Sequence, residues 1–375
     1  MEAVARRHPD PYRSTTREAF EREAERAAAT ELTGSRGETV CALMQLGAAL
    51  GERNGHSGIF ALDRHADPLR FYPLRLYEFD DGFFVVSAAN PELAGAELLS
   101  IGGTAIASLA RQIEPLIPRD NHATVGARRP SYLVASEVLE GLGIGESTHQ
   151  TFVLRPRSRE PFEVTLEPIP ADDYATAVDA DRRLPRRPGV RYLERRDEPR
   201  WVERESRAIL IGYNVTRGET ESLAAKIASI AREEPPAALV LDLRHNGGGD
   251  NTTYGPLLLE LQRQSRRAQL LVLTSRVTFS AAMQLIVDLE TTTNAIFVGE
   301  ATGGSPNHFG DAVQVELRAA GLIARVATVH WETAGPGDER LTREPDLHVP
   351  LRSKDFFENR DPVLEAALDA VAGEP

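Results

Sequence analysis

Ser280 lies where an apolar segment, LLVLTS, gives way to an amphipathic one, SAAMQLIVDLETT. This pattern predicts a strand that turns into a helix, with Ser280 at the N-terminus of the helix. The free N–H groups and the dipole of a helix N-terminus stabilise negative charge, so the Ser280 hydroxyl can act as a nucleophile and the Ala281 N–H can point toward an oxyanion. A serine that only caps the helix has the same local pattern, and this segment alone favours that role.

Three successive glycines after the apolar segment AALVLDLR change that balance. Glycines leave backbone N–H groups bare and let a substrate carbonyl approach closely. Together with the N–H of Ala281, those of Gly247 and Gly248 would form an oxyanion hole for a tetrahedral intermediate. A tight capping turn and a phosphate-binding loop are the alternatives, but HNGGGDN has neither phosphate-loop pattern and carries the acidic Asp250.

Four segments occur in the order seen in carboxyl-terminal processing peptidases, a family that also includes the tricorn protease core and the retinoid-binding repeats of vertebrates. They are LVLDLRHNGGGDN, VTFSAAMQL, FVGEATGGSPN, and EPDLHVP with RDPVLEAAL. The chain resembles this family well over residues 205–370 and more loosely over 38–110, where GERNGHSG is similar to the family's histidine segment. The resemblance implies a serine hydrolase of the peptidase type.

The resemblance also bears on the general base, because the processing-peptidase branch uses a lysine that follows the serine. Here Ser305 takes the place of that lysine, and the lysines present, Lys226 and Lys354, lie elsewhere. A Ser–Lys dyad is therefore excluded. The other branch, similar to the tricorn core, uses a distant histidine held by an acid, and His56 in NGHS matches that histidine.

A neutral imidazole at position 56 would accept the proton of Ser280 and return it to the leaving group. His56 is therefore the predicted base. His245, which adjoins the glycines, and His308 are its rivals for that role. A turn histidine without a partner is the structural alternative for His56.

The acid that orients the imidazole is expected in the segment GDER. The resemblance places it at Glu339, with Asp338 close behind, because a loop difference of one residue would exchange them. Other polar side chains near the predicted site are candidates for binding substrate: Ser57, His245, Asn246, Ser305 and His308. Since no His, Asp or Glu residues have the spacing of a metal site, neither a metal nor a cofactor is expected.

The elements that must position these residues follow from the hydrophobic pattern. From about residue 207, apolar strands alternate with helical segments, which predicts βαβ units and a mostly parallel sheet. Ligands bind outside the carboxyl ends of such strands, so the glycine loop and the turn at Ser280 should meet there. Upstream we predict helices within 15–50, short strands over 69–110, a helix at ASLARQIEPLI, helices over 125–145, a hairpin around Pro161, and a linker over 171–206 with one short strand at VRYLER.

The predicted fold class is α/β. The family resemblance implies a ClpP/crotonase-like spiral catalytic domain, preceded by an N-terminal helical segment and a degenerate PDZ-like β module. The predicted divisions are a helical segment with His56 over 1–65, the PDZ-like module over 66–125, connecting helices, hairpin and linker over 126–206, and the catalytic domain over 207–375.

The net charge of −13 and the pI near 5.3 argue against a surface that binds phosphates, so nucleic acid is not an expected partner. The single cysteine, Cys41, excludes an intrachain disulfide, and its apolar setting in CALMQLGAAL predicts a buried thiol. No apolar run is long enough to span a bilayer and no signal peptide is visible, so a cytoplasmic protein is expected, or an exported one if a leader has been trimmed.

The favoured function is a serine peptidase that acts on a peptide or protein substrate. A hydrolase of small esters, lactones or amides on the same scaffold and a non-catalytic ligand-binding protein are the alternatives. The sequence leaves the substrate and the oligomeric state open, a homo-oligomer included.

Overall fold

In the computed structural model the polypeptide divides between two units, and each unit draws on two separate stretches of chain. The first comprises Met1–Arg182 and His308–Trp331, and the second comprises Arg183–Asn307 and Glu332–Pro375. The structure describes residues 1–62, 69–145, 148–157, 159–179 and 194–372. The four-part division of the chain given above stays a prediction.

The first unit begins with three helices: α1 (Glu2–Arg7), α2 (Arg17–Thr33) and α3 (Arg36–Ala48). Polar residues cap the two longer ones. Thr16 Oγ1 accepts a hydrogen bond from the Ala19 N–H (3.1 Å), and Ser35 and Glu38 form a reciprocal capping box. The two helices predicted within residues 15–50 are confirmed.

Antiparallel strands form the sheet of the first unit. The strands are β1 (Arg70–Phe71), β2 (Leu74–Phe79), β3 (Gly82–Ala88), β4 (Glu97–Ile101), β5 (Thr104–Ala105), β6 (Gln150–Arg155), β7 (Phe162–Leu166) and β8 (Ile169–Pro170). The sheet order is β2-β3-β4-β6-β7, with β5 paired to β4, while β1 pairs separately with β8. The strands predicted over 69–110 and the hairpin predicted around Pro161 are confirmed.

Helices connect and cover these strands: α4 (Ile106–Ile113), α5 (His122–Tyr132), α6 (Ser136–Gly141) and α7 (Ala171–Val178), with short 3₁₀ helices at Pro91–Leu93 and Glu114–Leu116. The helices predicted at ASLARQIEPLI and over 125–145 are confirmed. The linker predicted over 171–206 is wrong at both ends. At its end, residues Arg200–Glu205 form a strand, and at its start α7 buries Tyr174 and Val178, four residues apart on one helical face. The ring of Tyr174 stacks on Phe71 at 4.9 Å. Of the strand predicted at VRYLER, residues 190–193 lie outside the described residues.

A mostly parallel sheet forms the second unit, as predicted. Its strands are β9 (Arg200–Glu205), β10 (Ala208–Tyr213), β11 (Ala238–Asp242), β12 (Gln269–Thr274), β13 (Ile296–Gly299) and β18 (Leu347–His348). The order is β18-β13-β12-β11-β10-β9, and only β9 is antiparallel to its neighbour. All five residues of β11 are buried, as expected for a strand covered on both faces.

The helices of this unit are α8 (Glu221–Glu233), α9 (Gly255–Ser265), α10 (Ala281–Thr292), α11 (Ser353–Phe357) and α12 (Pro362–Ala372). The regular alternation of strand and helix predicted from residue 207 is therefore present. Nowhere in the described part of the chain does a helix combine the length and the apolar character needed to cross a membrane.

The remaining strands are β14 (Asn307–Gly310), β15 (Val313–Leu317), β16 (Leu322–Val326) and β17 (Val329–Glu332). β15 and β16 pair antiparallel from Val313↔Val326 to Leu317↔Leu322. The segments VQVELRA and ARVATVHW thus contribute the two strands of a hairpin. The α/β class is confirmed.

Cys41 is buried, with 8% of its surface exposed, and its Sγ lies 3.5 Å from the Val138 carbonyl oxygen. Burial raises the pKa of the thiol to about 12. The prediction of a buried thiol is confirmed, and so high a pKa leaves almost no thiolate at pH 7 to react.

Candidate active site

Ser280 immediately precedes α10, as predicted, and its backbone is strained. Its φ and ψ of 55° and −127° lie in a region that residues with a side chain rarely adopt. A sharp, strained strand-to-helix turn is how some hydrolases expose a nucleophilic serine. The structure describes every residue of α10, and the Ser280 side chain caps none of the N–H groups of this helix. The capping role that the local pattern favours is therefore absent.

Hydrogen bonds to the loop after β11 hold the turn that carries Ser280. The Thr278 hydroxyl donates to the Leu243 carbonyl oxygen (2.9 Å), and the Phe279 N–H donates to the Asn246 carbonyl oxygen (3.1 Å). Strained backbone persists only where its surroundings fix it in this way. The turn and the glycine loop therefore form one connected structure.

Gly248 packs directly against the candidate nucleophile. Its φ is +103°, and a Cβ at this position would lie 2.6 Å from the Ser280 Cβ and 3.0 Å from the Ala281 nitrogen. Only glycine fits, because any side chain would displace Ser280. At Gly247, which is exposed, a Cβ would meet no atom within 4 Å, so that side of the loop is open.

Asn246 is buried and shapes the glycine loop from inside. Its Nδ2 donates to the Tyr213 carbonyl oxygen (2.8 Å), and its Oδ1 accepts the Gly248 N–H (2.9 Å). The Asn246 side chain is thus engaged within the loop, and its predicted role in substrate binding stays a prediction. The N–H of Gly248, a predicted oxyanion donor, is bonded to this side chain in the structure. The amides of Gly247 and Ala281 keep that role as a proposal, since the first N–H of a helix has no acceptor within the helix.

A buried ion-pair network anchors the same loop. Arg244 Nη2 lies 2.7 Å from Asp242 Oδ2, and Arg244 Nη1 lies 2.7 Å from Asp361 Oδ1. The Arg244 carbonyl oxygen accepts a hydrogen bond from Ser275 Oγ (2.7 Å), which ties the network to the turn before Ser280. Burial works against ionisation of both carboxyls. At Asp242 the guanidinium outweighs burial and lowers the pKa, whereas at Asp361 burial prevails and raises the pKa.

Replacing Arg244 by methionine is expected to lower the free energy of unfolding by about 3–5 kcal/mol, because two buried carboxylates lose their counter-charge. When the pH is above the pKa of Asp242 in the unfolded chain, the ionised carboxylate of Asp242 stabilises the wild type. This contribution is lost as the pH falls through the lower pKa that Asp242 has in the folded protein. The loss in Arg244→Met should thus shrink in acid. Urea unfolding at several pH values measures it. Arg263→Met, which breaks the exposed pair with Glu260, is the control; equal losses in both variants would contradict the argument.

The two candidate acids, Asp338 and Glu339, differ in their contacts. Arg340 Nη2 lies 2.7 Å from Asp338 Oδ2, and the guanidinium also binds both carboxylate oxygens of Glu290 at 2.8 Å. The Asp338 carboxylate therefore already serves as the counter-charge of Arg340. The side chain of Glu339 is exposed. The assignment of the orienting acid to Glu339, with Asp338 as the alternative, stays a prediction.

In the first unit, buried polar contacts fix the segment around His56. The Gly55 N–H donates to Asp120 Oδ1 (2.6 Å), and the Gly55 carbonyl oxygen accepts from the buried Arg128 Nη2 (2.8 Å). Asn54, on the other side, has its Oδ1 2.7 Å from a ring nitrogen of His8. The backbone that carries the imidazole is thus rigidly held.

The His56 ring is partly buried and stacks on the ring of His308, with centroids 5.3 Å apart and planes inclined by 12°. It is therefore not a turn histidine without neighbours. Burial lowers the pKa of His56 well below its ordinary value, and His308 and Arg128 lower it further. The imidazole is neutral at pH 7, the form that a general base requires.

Four other predicted substrate-binding residues lie inside the fold. Ser57 Oγ accepts a backbone N–H (3.0 Å), and Ser305 Oγ donates to a backbone carbonyl oxygen (2.6 Å), so both hydroxyls are used structurally. His245 and His308 are each 1% exposed. Over the described ranges, no three His, Cys, Asp or Glu side chains are grouped as ligands for a metal ion.

No protein-family model matches the chain, and no curated protein matches its sequence. Solved structures do match. A crystal structure of a CPAF mutant is 12% identical and aligns with a TM-score of 0.66, over 100% of this chain and 96% of that chain. Mature CPAF complexed with lactacystin is 13% identical, with a TM-score of 0.63 over 94% of this chain and 91% of that chain. The chain shares the fold of CPAF.

The photosystem II D1 C-terminal processing protease also matches, at 16% identity over 93% of this chain and 90% of that chain. Its TM-score is 0.39, which is too low to establish a shared fold. At these sequence identities the structural matches establish the fold alone, and the reaction must be inferred from the residues of the site.

Several residues that hold the site gave no signal of their own in the sequence. Arg128 and Asp120 support the His56 segment from more than sixty residues away in the chain. Arg244 and Asp361 lie within two of the strings that carry the family resemblance, but their pairing depends on tertiary structure. A charged residue inside an apolar strand, as in LVLDLR, is the one hint that a buried partner exists.

Proposed function

We propose that this chain is a serine peptidase that works through an acyl-enzyme on Ser280. The Ser280 Oγ attacks the carbonyl carbon of a peptide bond while His56 takes the hydroxyl proton. The amides of Gly247 and Ala281 hold the oxyanion. His56 then gives the proton to the leaving amine. Water, deprotonated in the same way, attacks the acyl-enzyme, releases the acyl group as an acid and restores Ser280.

The observation that carries the proposal is the strained backbone of Ser280, with Gly248 packed against it. A serine kept at φ 55° by surrounding hydrogen bonds costs the fold stability, and such strain concentrates at functional sites. Gly248 has no side chain, and a Cβ at this position would collide with Ser280. The resemblance to carboxyl-terminal processing peptidases supplies the reaction class.

His56 is the proposed base because its imidazole is neutral at pH 7 and its backbone is rigidly held. Ser280 belongs to the second unit and His56 to the first. Glu339 is proposed to orient the ring and stabilise the imidazolium that forms.

Glu339→Gln is expected to lower kcat/KM by about 10²-fold or more, since the amide cannot stabilise the imidazolium as a carboxylate does. Asp338→Asn removes a counter-charge of Arg340 and should cost less than about tenfold. Steady-state hydrolysis of a fluorogenic peptide measures both. A larger loss in Asp338→Asn than in Glu339→Gln would transfer the orienting role to Asp338.

The proposed function is tested by labelling the protein with a fluorophosphonate probe and mapping the modified peptide. Covalent modification of Ser280 is expected. A parallel screen of peptide libraries and p-nitrophenyl esters separates the reaction classes: turnover of esters alone would point to a small-molecule hydrolase. Absence of labelling over the whole pH range would leave a non-catalytic binding protein.

We further propose that the antiparallel sheet of the first unit is a degenerate PDZ-like module and that the second unit is of the ClpP/crotonase-like spiral type. The proposed partner is a peptide or protein substrate. The cytoplasmic location and the homo-oligomer remain expectations from the sequence.

A further inference from the structure

The His56 ring has a second imidazole stacked on it. The His308 ring lies nearly parallel to it, with centroids 5.3 Å apart, and is 1% exposed. Offset parallel stacking at this distance fixes the plane of a ring whose χ2 torsion is otherwise soft. A general base needs that plane fixed, because its lone pair must point at the proton that it removes.

The backbone beside His308 is bonded to the backbone beside His56. The Phe309 N–H donates to the Arg53 carbonyl oxygen (2.9 Å), so β14 runs alongside the histidine segment. The Phe309 ring packs between two further imidazoles, those of His8 at 4.5 Å and His330 at 4.6 Å. The strand that carries His308 is therefore anchored through its neighbour Phe309, whose ring is packed among other aromatic rings.

The charged groups that act on His56 come from three other elements. Arg128 on α5 and Arg325 on β16 are cations, and both disfavour an imidazolium at position 56. Asp120, in the loop before α5, is a carboxylate that accepts the N–H of Gly55, the residue before His56. A protonated His308 would add a third positive charge at the closest range.

We propose that His308 is a positioning residue for His56, because its stacked ring holds the imidazole in the plane of proton transfer. The electrostatic effect of His308 on His56 acts in the same direction as that of the two arginines. The inference rests on the proposed role of His56 as base. It predicts that His308 affects the pH range of activity, which a merely structural residue would not do.

Histidine-selective ¹³C NMR titration of the full chain tests the electrostatic part without substrate. The chain has nine histidines, and His56→Gln assigns the His56 signal. In His308→Phe, which keeps a stacked ring but no charge, the pKa of His56 is expected to rise toward its ordinary value. His330→Phe makes the same substitution at a histidine that stacks on Phe309, and it should leave the pKa of His56 unchanged. An unmoved pKa in His308→Phe, or equal shifts in both variants, overturns the proposal.

Fluorophosphonate labelling rates of the same proteins test the positioning part. In His308→Phe the rate should fall more at pH 6 than at pH 8, whereas in His308→Ala, which also loses the stack, it should fall at both. Equal rates in His308→Ala and wild type at pH 8 would overturn the positioning role. If the pKa of His56 shifts but the labelling profile does not follow it, His56 is not the base, and only the electrostatic coupling between the two rings is retained. Should His308→Phe not fold, His308→Gln takes its place in both measurements.

Discussion

His56→Ala is expected to slow the fluorophosphonate labelling of Ser280 by about 10²–10⁴-fold, the usual contribution of a positioned general base. The Ser280 hydroxyl is a weak nucleophile unless its proton is removed as it attacks, and the sequence has no lysine at the position of the base in a Ser–Lys dyad. The measurement is the second-order rate constant of labelling at pH 8.

His122→Ala is a suitable control, because His122 is an exposed histidine at the first turn of α5 in the same unit. Its labelling rate should match that of the wild type. Full retention of labelling in His56→Ala would leave Ser280 as the nucleophile and remove His56 as its base. His245→Gln is then the next variant to measure, since that histidine adjoins the glycine loop.

The pH dependence of labelling gives an independent check on the same base. Burial holds the pKa of His56 well below its ordinary value, so the neutral, basic form persists as the pH falls through the range in which a free imidazole is protonated. The wild-type rate should therefore keep its plateau into mild acid. An acid limb at the ordinary pKa of histidine would show that His56 is not the titrating group.

The sequence predicts much of this fold because local patterns and tertiary structure agree. Thr16 and Ser35 are good helix caps, and both cap helices. The continuous apolar run of β11 predicts a strand buried on both faces, and it is one. The rule that parallel strands bring their carboxyl ends together placed the glycine loop beside Ser280, where Gly248 now touches it.

The remaining features depend on contacts between distant residues. Tyr174 and Val178 lie in a stretch rich in Arg, Asp and Pro, so two apolar residues in helical register gave too weak a signal for α7. The Asn246 Oδ1 accepts a hydrogen bond from the Gly248 N–H because of the rotamer of the Asn246 side chain. The spacing of residues in the sequence does not specify that rotamer. The stack of His308 on His56 joins residues that are over two hundred positions apart.

Gly248→Ala is expected to abolish labelling of Ser280, with a loss of at least about 10³-fold, although the variant keeps every polar group of the site. The new Cβ would lie 2.6 Å from the Ser280 Cβ, so the turn must move. A displacement of about 1 Å at a reacting atom already costs about 10²-fold. The left-handed φ of +103° adds about 1–3 kcal/mol of backbone strain.

A stability measurement separates a displaced nucleophile from an unfolded protein. Gly255→Ala is the matched control, because a Cβ at this first position of α9 meets no atom within 4 Å and alanine favours the helix. Gly248→Ala should remain folded by circular dichroism and lose labelling, whereas Gly255→Ala should keep both. If Gly248→Ala labels at the wild-type rate, then Ser280 tolerates displacement, and the packed contact between glycine loop and serine is not what makes the hydroxyl reactive.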